Sequence, residues 1–150
     1  MKALIVFLTI FLISASSKAQ TTDDDFRKMV DSAIVIQITR QDRTIYQPSI
    51  YLIDAKDEPY ILKSPVHQKK FDYLYVYDKK NRTIIKKGIR AWKVIPVLNN
   101  NKLVINIIDF RITYNKNNYA FANGGGATVI FEYSCNDGKW KFVKTQWSGI

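Results

Sequence analysis

The stretch 127-ATVIFEYSCNDGKWKFVKTQW-147 decides the fold. Its first nine residues alternate, with Ala127, Val129, Phe131, Tyr133 and Cys135 on one face and Thr128, Ile130, Glu132 and Ser134 on the other. A period of two in β-branched and aromatic residues is the pattern of a half-buried strand. Asp137-Gly138 then suits a two-residue type I′ turn, whose central residues both need positive φ. That turn would pair Cys135 with Trp140 and Tyr133 with Phe142, all on the apolar face. Cys135 would be buried and inert there.

Upstream, Asn100-Asn101 predicts a second hairpin, because Asn tolerates left-handed φ. Its arms run from Ile89 to Leu98 and from Lys102 to Tyr114. The second arm places Val104, Ile108, Phe110, Ile112 and Tyr114 on one side. On the other lie Leu103, Ile105 and Ile107, followed by Asp109, Arg111 and Thr113, as if the strand ran from a covered region to an open one. Pro96 cannot donate to a ladder, which marks the first arm as an edge strand or a bulged one. Residues 89–147 thus read as a β-meander.

The N-terminal part is less regular. Phe26, Met29, Val30 and Ala33 fall at helical spacing after the possible caps Thr22 to Asp25, predicting a short helix over 24–33. The apolar run at Ile34, Val35, Ile36 and Ile38 reads as a first strand. Tyr46 to Ile53, after a Gln41-Asp42-Arg43 turn, reads as a second. Phe71 to Tyr77 sets Phe71, Tyr73, Tyr75 and Tyr77 on one side, a row that is ordinarily core. Gly124 to Gly126 reads as a flexible turn into the strand at Ala127; an anion-binding nest or a mobile flap is the alternative.

Residues 1–19 have the form of a cleaved secretory signal peptide: Lys2, an apolar core, then small residues at Ser17 and Ala19. The remaining residues, 20–150, suit a single globular domain. Export to the periplasm or the extracellular space is therefore expected. The Lys18-Ala19-Gln20 segment resembles the cleavage region of secreted proteins from Gram-negative bacteria.

Charge narrows the partners. The chain holds 23 basic and 13 acidic residues. Without Lys2 and Lys18, 21 face 13, a net charge of +8. Lys63, Lys69, Lys70, Lys79, Lys80, Arg82, Lys86, Lys87, Arg90 and Lys93 face only Asp72 and Asp78 across 63–93. Such a cluster concentrates anions nearby, and Trp92 with the aromatic row adds stacking surface. The expected partner is an anionic ligand or surface, such as an acidic polysaccharide, a cell-surface component or a membrane face. An exported address argues against intracellular nucleic acid. Edge lysines that prevent strand pairing are the plainer account of part of this charge.

Catalytic signals are thin. His67 is the only histidine. No group of residues has metal-ligand spacing, and there is no nucleophile elbow or dinucleotide fingerprint, so neither metal nor cofactor is expected. Asp109, with Trp92 opposite it, and His67 are the candidates for an acid or base in a small pocket enzyme. The structural alternative pairs Asp109 with Arg90 or Arg111. A third reading is an interaction or inhibitor module acting through a sheet edge or the glycine run.

A short helix packed on a curved, mainly antiparallel meander is an α+β arrangement. Its order over 24–147 resembles the cystatin-like group, including the nuclear transport factor two family, in which a curved sheet wraps a helix and forms a pocket. A half-open all-β barrel is the alternative architecture.

Overall fold

The computed structural model of the protein describes residues 19–41 and 49–149, with side chains from Asp24 to Arg40 and from Ser49 onward. Residues 1–18 of the expected signal peptide, Asp42-Arg43 of the predicted turn and the Tyr46–Pro48 part of the second predicted strand lie outside the described residues. The fold is α+β, with one long helix against an open six-stranded sheet.

Helix α1 spans Ala19–Gln41. The predicted strand at 33–39 is therefore helical, and the predicted caps lie inside the helix. Ile34, Val35 and Ile36 favour a strand locally, yet Met29, Val30, Ala33, Ile34, Gln37 and Ile38 continue one helical stripe, all buried. Each such apolar side chain contributes roughly 1.5–3 kcal/mol on burial, which outweighs the weak local preference.

Strand β1 (Ile50–Ile53), helix α2 (Pro65–Gln68), strand β2 (Phe71–Asp72) and helix α3 (Arg82–Lys86) precede the meander. The meander comprises β3 (Ile89–Asn99), β4 (Lys102–Asn115), β5 (Asn118–Ser134) and β6 (Lys139–Ser148). The order is β2-β1-β3-β4-β5-β6, with β1 parallel to β2 and β3 and the rest antiparallel. The sheet stays open at β2 and β6, so the barrel alternative fails.

The β3–β4 hairpin forms at the predicted turn, where Asn99 pairs with Lys102 and Asn100 has φ 54°. The last hairpin differs by two residues. Tyr133 pairs with Trp140 and Phe131 with Phe142, leaving a four-residue connection at 135–138. Asp137 accepts a hydrogen bond from Ser134 Oγ at 2.9 Å and pairs with Lys141, which organises a longer loop than Asp-Gly alone suggests. Next to the turn this slip of two keeps the side chains on their faces, but a bulge between Ile130 and Phe131 resets the rest of the ladder, so that Val129 pairs with Thr145 and Ala127 with Trp147. Cys135, however, moves into the loop and is exposed, not buried. Both central residues with positive φ occur instead at Lys116-Asn117, between β4 and β5.

Two apolar clusters cover opposite sheet faces. The α1 side gathers Leu52, Trp92, Val94, Leu103, Ile105, Ile107, Val129 and Phe131. The other gathers Ile53, Ile89, Ala91, Ile112 and Tyr114 under Leu74, Val76 and Ile85. Strand β4 thus changes its buried face along its length; it does not run into open solvent. The 71–77 aromatic row is corrected too: Phe71 is buried, but β2 ends at Asp72, and Tyr73, Tyr75 and Tyr77 are exposed while Leu74 and Val76 turn in.

The glycine run is no flexible turn. It lies within β5, where the ladder shifts register opposite Asp109. Gly125 has φ +100°, and a Cβ there would collide with the Ser148 carbonyl oxygen of β6. Three backbones pass too close for a side chain, which is what glycine permits.

The loop before α2 is tied to α1. Tyr60 Oη donates to Asp31 Oδ1 at 2.7 Å, the Lys63 amide donates to Asp31 Oδ2 at 2.9 Å, and Lys63 Nζ pairs with Asp24. Lys63 and Lys28 hold the Asp24 carboxyl down to about 2, from an ordinary value of 3.8. A lowered carboxyl pKa stabilises the fold fully above its unfolded value, and that contribution is lost as pH falls through the folded one. The 61–63 tether should therefore be intact above about pH 4 and loosen toward pH 2. Amide exchange at Leu62 and Lys63 across that range checks it; protection unchanged down to pH 2 would contradict the pairing.

Candidate functional site

The meander leaves part of its α1-side face beyond the helix's C-terminal turn. There Arg90 of β3 stands opposite Arg111 of β4, and Trp92 opposite Asp109, as the sequence register predicts for the latter pair. Like charges directly across a ladder repel, and Asp109 relieves this from the diagonal position. Arg90 Nε donates to Asp109 Oδ1 at 3.0 Å and to Oδ2 at 2.9 Å, and Arg90 Nη2 donates to Oδ2 as well. The side chains are 31% and 13% exposed. Asp109 holds the Arg90 guanidinium firmly protonated against the opposing effect of burial.

A cleft of about 640 Å³ opens beside this pair, lined among others by Lys87, Gly88, Arg90, Asp109, Arg111 and Asn123. Gly88 ends α3 with φ +81° and a bond from its amide to the Ile85 carbonyl. A Cβ at Gly88 would lie 3.1 Å from Arg111 Nη2, so the missing side chain lets that guanidinium lie against the backbone. Among the described residues, neither Arg111 nor Lys87 has a carboxylate partner. The cleft therefore holds three cations and one anion.

A recess of about 300 Å³ shares Arg90, Asp109 and Gly124 with the cleft and adds Gln37, Arg40 and Trp147. The Arg40 guanidinium sits 4.2 Å from the Trp147 ring centroid.

No family model, curated protein or solved structure matches the chain. The site must be read from its own chemistry.

The residues predicted for a basic face separate. Trp92 is 1% exposed and packs edge-on to Phe71 at 5.5 Å, so it is core and offers no stacking platform. Lys93 Nζ is engaged by Asp57 Oδ1 at 2.7 Å, Lys80 Nζ by Asp78 Oδ2 at 3.0 Å, and Arg90 by Asp109. Arg82 lies over the Tyr114 ring at 4.9 Å. Lys69, Lys70, Lys79, Lys80, Lys86 and Lys87 are exposed. Of the predicted set, only Arg90 and Lys87 meet in the cleft.

Among the catalytic candidates, Asp109 is committed to Arg90, which is the structural alternative for it. His67 lies in α2, with Nδ1 buried and unpartnered. The cleft's lining residues do not include it, so the two are not assembled as an acid–base pair. Among the described residues, no group of three or more His, Cys, Asp or Glu could hold a metal ion.

Sequence reasoning missed Gln37, Arg40, Trp147 and the role of Gly88. Gln37 was hidden by the strand reading of 33–39, and Arg40 by ending the helix at 33. Arg111 was visible as a second cation on the face of Asp109.

Proposed function

We propose that the protein is an exported, non-catalytic binding module that holds an anionic group of a larger partner, such as an acidic polysaccharide, in the Lys87–Arg90–Arg111 cleft. The observation that carries this is the pair of cations, Arg111 and Lys87, left without a carboxylate among the described residues, beside an Asp109 already taken by Arg90. A guanidinium offers a planar fork suited to a carboxylate or sulfate, and the ammonium adds a point charge. The exposed Lys69, Lys70, Lys79, Lys80 and Lys86 supply a wider field that steers anions inward.

Titration calorimetry with a trigalacturonate oligosaccharide tests this. Binding should weaken steeply between low and physiological salt. Arg111→Ala should weaken it about tenfold, the loss of one charge-assisted hydrogen bond at roughly 1.5 kcal/mol. Lys69→Ala should change it less than twofold. Binding that survives Arg111→Ala and Lys87→Ala together would end the proposal.

A further inference from the structure

The recess beside the cleft has a different chemistry. Gln37 is 3% exposed, and its Oε1 is buried without a hydrogen-bond partner. An unmet buried acceptor destabilises a fold unless something supplies a donor. Gln37 lines the recess together with Asp109. Arg90 uses part of the Asp109 carboxylate, but a carboxylate has about four lone-pair sites, so acceptor capacity remains. The recess also lies at the last turn of α1, whose negative dipole end disfavours a second anion and favours donors. Trp147, half-exposed, supplies an aromatic wall, with Arg40 held on its ring.

We infer that the recess is a hydroxyl-accepting subsite, so that the ligand is a hydroxylated acid of the hexuronate type. Its carboxylate lies toward Arg111 and Lys87 in the cleft, and its hydroxyls donate to Gln37 Oε1 and to the Asp109 carboxylate. The inference rests on the anion-binding reading of the cleft and adds the identity of the ligand's other half. Cleft and recess meet at Arg90, Asp109 and Gly124, so one small ring can reach both.

The probes are D-galacturonate, cyclohexanecarboxylate and D-galactose, titrated by NMR into the full chain. Cyclohexanecarboxylate keeps a six-membered ring and the charge but has no hydroxyls; galactose keeps the hydroxyls without the charge. Galacturonate should bind about tenfold more tightly than either. Gln37→Met, which removes the acceptor at similar volume, should lower galacturonate binding three- to tenfold and change cyclohexanecarboxylate binding less than twofold. Equal binding of the two acids by the wild type would overturn the subsite and leave the anion cleft standing. Binding of neither acid would overturn both. A galacturonate preference unchanged in Gln37→Met would also overturn the assignment, and the wild-type comparison decides the matter even if that variant folds poorly.

Discussion

Trp92→Ala is expected to lower the unfolding free energy by about 3–5 kcal/mol, the range for deleting a large buried aromatic side chain. Trp92 is among the largest fully buried side chains, at the centre of the cluster that joins α1 to β1, β3, β4 and β5, and it contacts Phe71 edge-on. A domain of this size has a total stability of about 5–15 kcal/mol, so the variant loses a large share of it. Trp92→Phe should cost much less. It leaves a smaller void, and it removes an indole Nε1 that is buried without a partner. Urea denaturation followed by circular dichroism separates the two variants through their midpoints. A cost below about 1 kcal/mol for Trp92→Ala would mean that the residue is not in the core. That outcome would revive the stacking role that its neighbourhood of lysines suggests.

The second large effect has two signs. Asp109→Asn keeps the side chain's size but removes the charge that Arg90 binds through both carboxylate oxygens. Stripping one partner from a largely buried pair costs up to 3–5 kcal/mol. Arg90 is 31% exposed, so water shields part of the loss and about 2 kcal/mol is expected. The cleft meanwhile gains one unit of positive charge. Affinity for cyclohexanecarboxylate, which has no hydroxyls to lose at Asp109, should rise about fivefold, the effect of roughly 1 kcal/mol of Coulomb energy at such separations. Reduced stability together with weakened cyclohexanecarboxylate binding would contradict the role assigned to the cleft.

What could be read in the chain follows the range of the forces involved. The β3–β4 hairpin is encoded locally, by Asn100-Asn101 and by alternation on both sides, and it forms as predicted. The opposition of Trp92 and Asp109 follows from that register, and with it the nearness of Arg90. The last hairpin is half-encoded: its faces are right beside the turn, but Asp137 bonds Ser134 and Lys141 in place of closing a two-residue turn, and a bulge at Phe131 resets the pairing beyond it. The helix is where local signals mislead. Ile34, Val35 and Ile36 favour extended backbone, and only burial against a sheet drawn from strands as distant in the chain as β5 makes them helical.

That one error hid much of the site, because Gln37 and Arg40 reach the recess only from a helix. The glycine run was visible as an anomaly, but its cause, the close passage of β4 and β6, depends on pairings that no single segment announces. The basic stretch was likewise visible, while its division into paired and unpaired cations depends on Asp57 and Asp109, which lie outside it.

The central claim is that anions are held at one cleft and not across the whole lysine-rich segment. Titration of trigalacturonate into isotopically labelled protein, followed through backbone amide shifts, tests this most directly. The account predicts saturable shifts at Lys87 to Arg90, Asp109 to Arg111 and Ala122 to Gly124, with small changes at Lys69, Lys70, Lys79 and Lys80. Shifts confined to those four lysines, or spread evenly with no saturation, would contradict it.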